Sequence, residues 1–191
     1  MSLRVQFFPG AVFAGALLLG ACARSGPPPS DIGGAFRMVD QNGRSVDQGL
    51  LKGKWSAVYF GYTFCPDTCP TTLSELAQAQ TALGAKSRNF QVVFVSVDPA
   101  RDTPAQMKTY LSSPAFPKGA IGLTGTPAEV AAIAKNYHVF YQRVGNGPDY
   151  SMDHTSVVYL MDPKGRFVQP VDTSRPPSAI AGEIAGAMAQ D

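Results

Sequence analysis

Charge is scarce in this chain and evenly matched. Sixteen Lys and Arg face fourteen Asp and Glu, charged residues make up 16% of the sequence, and the formal net charge is +2. No basic stripe stands out, so nucleic acid is not an expected partner. No internal repeat is present, which excludes a solenoid or propeller. Cysteine and histidine are rarer still, at three and two in 191 residues, so each can be weighed singly. The remainder, 45% hydrophobic, is an ordinary globular composition with room for one core.

The first residues do not read as fold. Arg4 gives a positive start, and an apolar run from Val5 to Ala21, broken by Gln6 and Pro9, ends in Leu18-Leu19-Gly20-Ala21-Cys22. This pattern is that of a secretory signal with small residues before the cut. The Leu-Gly-Ala-Cys ending resembles a bacterial lipobox, in which Cys22 carries the lipid. The competing reading is an uncleaved anchor, for which the apolar run is somewhat short. Residues 1–21 are thus expected to be a signal peptide. Residues 22–35 are expected to be a lipidated cysteine followed by a stiff tether rich in proline, Gly26-Pro27-Pro28-Pro29. Residues 36–191 would form the folded domain, exported, tethered to a membrane and facing a bacterial periplasm. A lipidated Cys22 leaves one cysteine pair and no odd thiol, as suits an oxidising compartment.

That pair dominates the rest: Gly61-Tyr62-Thr63-Phe64-Cys65-Pro66-Asp67-Thr68-Cys69-Pro70. It follows a strand-like run, Ala57 to Phe60, and precedes apolar residues at helical spacing, Leu73, Leu76, Ala77 and Leu83. The unpaired N–H groups at a helix start favour thiolate. Thiolate attacks disulfides and binds soft metals. If both cysteines lie on one helical turn they share a face, roughly 6 Å apart at Cα, within reach of a disulfide or of one metal ion. A structural disulfide would close a tiny loop and stabilise little.

The following segments alternate in type. Phe36 to Asp40 is weakly strand-like and ends at the turn signal Asn42-Gly43, and Asp47 to Leu51 suits a short helical turn. Gln91 to Val97 is a continuous apolar run that suits a strand covered on both faces. Thr103 and Thr126 each precede proline and are expected to cap helices, with Gly84 stopping the helix after the cysteines. A short strand is expected near Ile121, and Val139 to Val144 alternates like a strand. Thr155 to Met161 and Arg166 to Val171 are expected to pair across Asp162-Pro163-Lys164-Gly165, and a last helix places Ile180, Ile184 and Met188 on one face. The order predicts an α/β fold, a thioredoxin-like mixed sheet flanked by helices. The segment Val139 to Val144 would be a β insertion ahead of Asp153-His154-Thr155.

Of the two histidines, His138 sits at a helix-to-strand joint and reads as structural or facing solvent. His154 lies in Tyr150-Ser151-Met152-Asp153-His154-Thr155, where a loop meets a strand. By residue type alone a lone histidine is more often structural than a ligand. The chain, however, resembles the Sco/SenC family of copper-binding, thioredoxin-like proteins. The resemblance rests on Gly61 to Pro70, which matches the family's CxxxCP signature. It rests also on Val95 to Thr103, on Leu123-Thr124-Gly125 and on Asp153-His154-Thr155, all in family order. It implies that Cys65, Cys69 and His154 bind one copper ion, Cu(I) or Cu(II). It further implies a role in assembling the dinuclear copper centre of cytochrome c oxidase subunit II, with a periplasmic copper donor and a thiol reductant as further partners. Two thiolates suit Cu(I), and an imidazole lets the site hold Cu(II) as well.

The alternatives use the same residues differently. A membrane-tethered thiol-disulfide oxidoreductase would need only Cys65 and Cys69, although their spacing departs from Cys-x-x-Cys. A thiol peroxidase has no use for His154, and a distant resolving cysteine is missing. Zinc would want a closed set of four ligands, for which Asp153 is the obvious fourth. Met152 reads as core rather than as an axial ligand, and Asp98 and Arg101 as capping and ion-pair residues.

Overall fold

A computed structural model describes Met1 and residues 31–190. The expected signal peptide, Cys22 and most of the proline-rich tether lie outside the described residues.

The parallel core of the sheet comes from the two most apolar segments. β3 (Trp55–Gly61) and β4 (Phe90–Ser96) are buried along their whole length and pair in parallel, Tyr59 opposite Phe94. Continuous apolar runs are what a strand covered on both faces requires. β5 (Ile121–Thr124) extends the parallel set beyond β4. β1 (Arg37–Asp40) and β2 (Ser45–Asp47) add antiparallel strands at one edge, and β8 (Val158–Met161) and β9 (Phe167–Val171) at the other. The order is β2-β1-β5-β4-β3-β8-β9. A 3-10 turn over Gln48–Leu51, capped by Asp47, stands where the short helical turn was expected.

Helices cover both faces. α1 (Thr68–Ala82) and α2 (Pro104–Leu111) lie on the face of Tyr59 and Phe94, and α3 (Pro127–Asn136) lies on the other. Strand alternation decides this. The Tyr59 hydroxyl meets Cys69 of α1 and the Phe94 ring meets Tyr110 of α2, whereas neighbouring Phe60 stacks on Tyr137 at the end of α3. α4 (Pro177–Met188) packs on α1 through buried Ile180 and Ile184. Thr103 caps α2, Thr126 and Glu129 form a capping box on α3, and Gly84 takes a positive φ where α1 stops. No helix among the described residues is long and apolar enough to cross a membrane.

The β insertion is present but larger than expected. β6 (Tyr141–Val144) pairs antiparallel with β7 (Ser151–His154) in a separate two-stranded sheet. The strand expected from Thr155 to Met161 is shorter at its start, with Thr155 to Val157 in no strand. The Asp-His pair ends the insertion, and the main sheet resumes only at Val158. The reason is compositional: Ser151 to His154 has one apolar residue and fits a half-exposed hairpin, while Val158 to Met161 is apolar throughout and goes to the core.

Candidate metal centre

β3 ends at Gly61 and the chain turns through Tyr62 to Asp67 before α1 starts at Thr68. Cys65 therefore lies in the turn, ahead of the N-cap residue Asp67, and Cys69 is in the first helical turn. The two do not share a helical face, yet their sulfurs are close because of the cap. Asp67 occupies the N-cap position but makes no side-chain cap bond. The Cys65 sulfur takes that place, accepting the N–H of Cys69 at 3.3 Å. An orphan donor of the helix start is thereby satisfied by a thiol.

The thiols, both free, have opposite characters. Cys65 is half-buried. The Cys69 thiol donates to it, against the effect of burial, and the N–H groups of Cys69 and Asp67 and the His154 ring add to that, so its pKa is pushed down to about 5. Cys69 is fully buried. Its proton is held by donation to Cys65 and by burial, which push its pKa up. The Tyr59 hydroxyl lies 3.6 Å from the Cys69 sulfur.

His154 arrives from the insertion. Its Nε2 is 3.7 Å from the Cys69 sulfur. Its Nδ1 is 3.1 Å from the carbonyl oxygen of Thr155, which can only accept, so Nδ1 carries a proton and Nε2 faces the sulfurs. The ring is flanked edge-on by Tyr62 at 5.9 Å and Tyr59 at 6.4 Å. One donor atom each from Cys65, Cys69 and His154 lies within 4.8 Å of the other two. With bonds of roughly 2.3 Å to sulfur and 2.0 Å to nitrogen, ligands around one ion stand about 3.5–4 Å apart. The set fits a single ion with slight closure. No other His, Cys, Asp or Glu among the described residues joins it. Asp153 is exposed and alternates to the opposite face of β7, so the fourth ligand that a structural zinc would want is missing.

The turn is braced from behind. Asp102, fully buried, accepts from the Thr63 hydroxyl at 2.7 Å, the Thr63 N–H at 3.2 Å and the Ser96 hydroxyl at 2.6 Å. Burial pushes its carboxyl pKa up, and these hydrogen bonds pull against it. Asp102 thus ties the cysteine turn to the end of β4. Neither this residue nor Tyr59 or Tyr62 is marked as functional by the sequence: Tyr59 belongs to an apolar strand-like run, and the segments that hold Tyr62 and Asp102 carry no sign of what those side chains touch. Asp98 and Arg101 do pair, at 2.5 Å, while the cap of α2 is Thr103. Met152 packs on the core. His138 is exposed and pairs with Asp31 at 3.3 Å.

A thiol pair at the first parallel strand-to-helix turn of a mixed sheet, joined by an inserted histidine, defines a thioredoxin-like protein equipped with a third ligand. The chain belongs to the SCO1/SenC family, whose model matches residues 24–189. Protein SenC of Rhodobacter capsulatus is 37% identical over 168 residues, covering 86% of this chain and 74% of its own length. A SCO2-like protein of Rickettsia felis is 39% identical over 141 residues, covering 72% of this chain and 68% of its own length. Among solved structures, Bradyrhizobium japonicum ScoI with copper bound is 46% identical, with a TM-score of 0.75 over 81% of this chain and 98% of the other.

Proposed function

We propose that the protein binds one copper ion through Cys65, Cys69 and His154 and delivers it during assembly of the dinuclear copper centre of cytochrome c oxidase subunit II. One observation carries the reading: two sulfurs and an imidazole nitrogen converge within 4.8 Å, with no further His, Cys, Asp or Glu among the described residues joining them. The ScoI of Bradyrhizobium japonicum, described with copper bound, supports the choice of metal. Two thiolates favour Cu(I), and the imidazole extends the site to Cu(II). A three-ligand site leaves room for an incoming thiolate, so the ion can leave by ligand exchange. Cys65 and His154, both half-buried, are the ligands that a partner can reach, while Cys69 is buried. The domain acts from the periplasmic side of a membrane, tethered through a lipid on Cys22, with a copper donor upstream of it.

A second reading has its own support. A half-buried thiolate beside a buried, protonated thiol is the arrangement of an attacking and a resolving cysteine. The protein would then reduce cysteines of a client. His154 separates the two. His154→Ala should leave thiol-disulfide exchange close to normal, spare much of the Cu(I) affinity and strongly weaken Cu(II) binding. Cys65→Ser or Cys69→Ser should abolish tight binding, measured as one copper per chain. In cells carrying the His154→Ala protein at normal abundance, oxidase copper content should fall. Full oxidase activity there, with Cu(II) binding lost in vitro, would reject delivery that depends on Cu(II) and favour the reductase.

A further inference from the structure

His154 sits on a hairpin that stands outside the main sheet and meets the core through Tyr141 and Met152. A two-stranded hairpin is marginal by itself, and β6-β7 pairs with no strand of the main sheet. Its outward side, with Gln142, Val144, Ser151 and Asp153, is exposed. The hairpin's own hydrogen bonds fix its shape but not its distance from the cysteines. Something on the body must seat it.

The seat lies on the loop after β4. Tyr150, the residue before β7, is held there on three sides. The Arg101 guanidinium stacks on its ring at 3.5 Å, that of Arg143 stacks on it at 3.8 Å, and its hydroxyl donates to Asp98 Oδ1 at 2.5 Å. The other Asp98 oxygen takes the Arg101 Nε–H, also at 2.5 Å, and Arg101 Nη1 reaches the Pro148 carbonyl at 3.5 Å. Arg101 Nη2 is buried and meets no acceptor among the described residues. The guanidinium is instead surrounded by rings, with Phe64 at 4.7 Å and Tyr62 at 5.7 Å besides Tyr150. A cation held this way is fixed by stacking as much as by its ion pair. Phe64 and Tyr62 belong to the cysteine turn. The Tyr62 hydroxyl faces the Met152 N–H and its ring faces His154. One arginine therefore touches both the element that carries the sulfurs and the element that carries the imidazole.

We propose that Asp98, Arg101 and Tyr150 form a latch that seats the β6-β7 hairpin and so sets the distance between His154 and the two sulfurs. They are positioning residues and touch no ligand atom. Latched, the site has three donors. Unlatched, the hairpin lifts and leaves a dithiol pair. The inference rests on the metal-site reading above in its copper consequence, and on geometry alone in its hairpin consequence.

The experiment therefore has two arms on the full-length protein, each comparing Tyr150→Ala, Tyr150→Phe and Arg101→Ala with the unaltered chain. In the metal-free, reduced protein, amide hydrogen exchange of residues 151–154 should speed up at least tenfold in Tyr150→Ala and Arg101→Ala, while β3 and β4 keep their protection. Tyr150→Phe keeps the stacked ring and should recover most of the protection. In the second arm, Cu(II) affinity should fall by roughly 10–100-fold, as when outer partners of a metal ligand are removed. Nitrogen hyperfine coupling should be lost from the copper resonance, and Cu(I) affinity should change less than threefold. Unchanged exchange in residues 151–154 of both alanine variants would overturn the latch, and so would an unchanged ratio of Cu(II) to Cu(I) affinity. Should the unaltered chain bind no copper, the metal-site reading falls, and the exchange arm still decides whether the latch seats the hairpin.

Discussion

Taking the reduced, metal-free protein from pH 8 down to pH 4 carries one sulfur through its reactive range. Cys65, with its pKa pushed down to about 5, is a thiolate at neutrality, and Cys69 keeps its proton. At pH 7 about 99% of Cys65 is then ionised, against about 3% of an ordinary thiol near 8.5. This thirtyfold excess does not make Cys65 fast. Nucleophilicity falls with pKa along a Brønsted slope of about 0.4–0.5, which over some 3.5 units costs roughly 25–60-fold. The two effects nearly cancel, and the neutral rate should be that of a common cysteine. What differs is the pH profile. Alkylation by iodoacetamide, resolved by peptide mass spectrometry so that Cys65 and Cys69 are read separately, should be flat at Cys65 from about pH 8 to 6. It should then drop through a midpoint near 5, approaching tenfold per unit below it. Cys69→Ala removes the leading cause, the thiol that donates to Cys65, and should move the midpoint up toward the ordinary range. A midpoint above 7 in the unaltered protein, or one that Cys69→Ala leaves in place, would refute the assignment of thiolate and cap to Cys65.

The other predictions concern the frame around that sulfur and the tether. A methyl at Gly61 would lie 2.6 Å from Phe94 Cε2 and 2.7 Å from the Cys69 sulfur. Gly61→Ala should therefore cost about 1–3 kcal/mol and disturb the copper spectrum, and a wild-type melting point with an unaltered spectrum would contradict this. Asp102→Ala strands the Thr63 N–H and two hydroxyls, at roughly 1–3 kcal/mol for each stranded donor. A loss of about 3–5 kcal/mol in urea unfolding is expected, and one below about 1 kcal/mol would show that Asp102 does not brace the turn. At the amino terminus, mass spectrometry should find acylated Cys22, and a retained, unmodified Met1-to-Ala21 segment would rule that out.

Local chemistry was readable where one residue type forces one outcome. Thr103 and Thr126 before proline announced caps, the runs at Ala57 to Phe60 and Gln91 to Val97 announced buried parallel strands, and the cysteine turn followed from their order. The inserted segment was visible at Val139 to Val144, but its partner was not. Ser151 to His154 alternates with polar residues on both sides of Met152, a pattern that a loop shares. His154 is accordingly read as the point where a loop meets a strand, and the structure places it at the end of a separate hairpin. Contacts between distant loops were the least legible. Arg101 and Tyr150 stand 49 positions apart, and nothing in either local sequence points to the other. The cap by Cys65 was hidden as well, because Asp67, the residue type that normally caps, occupies the expected position and does not do so.

That cap gives one atom two duties. The lone pair of Cys65 that receives the Cys69 amide is drawn from the same sulfur that would bond to a metal, a disulfide partner or an alkylating agent. A metal leaves the thiolate other lone pairs for that N–H, whereas a disulfide or an alkyl group removes its charge and makes it a weaker acceptor, so the first turn of α1 would hold its opening amide less tightly. The backbone between Pro66 and Cys69 thus carries a record of what has happened to the sulfur.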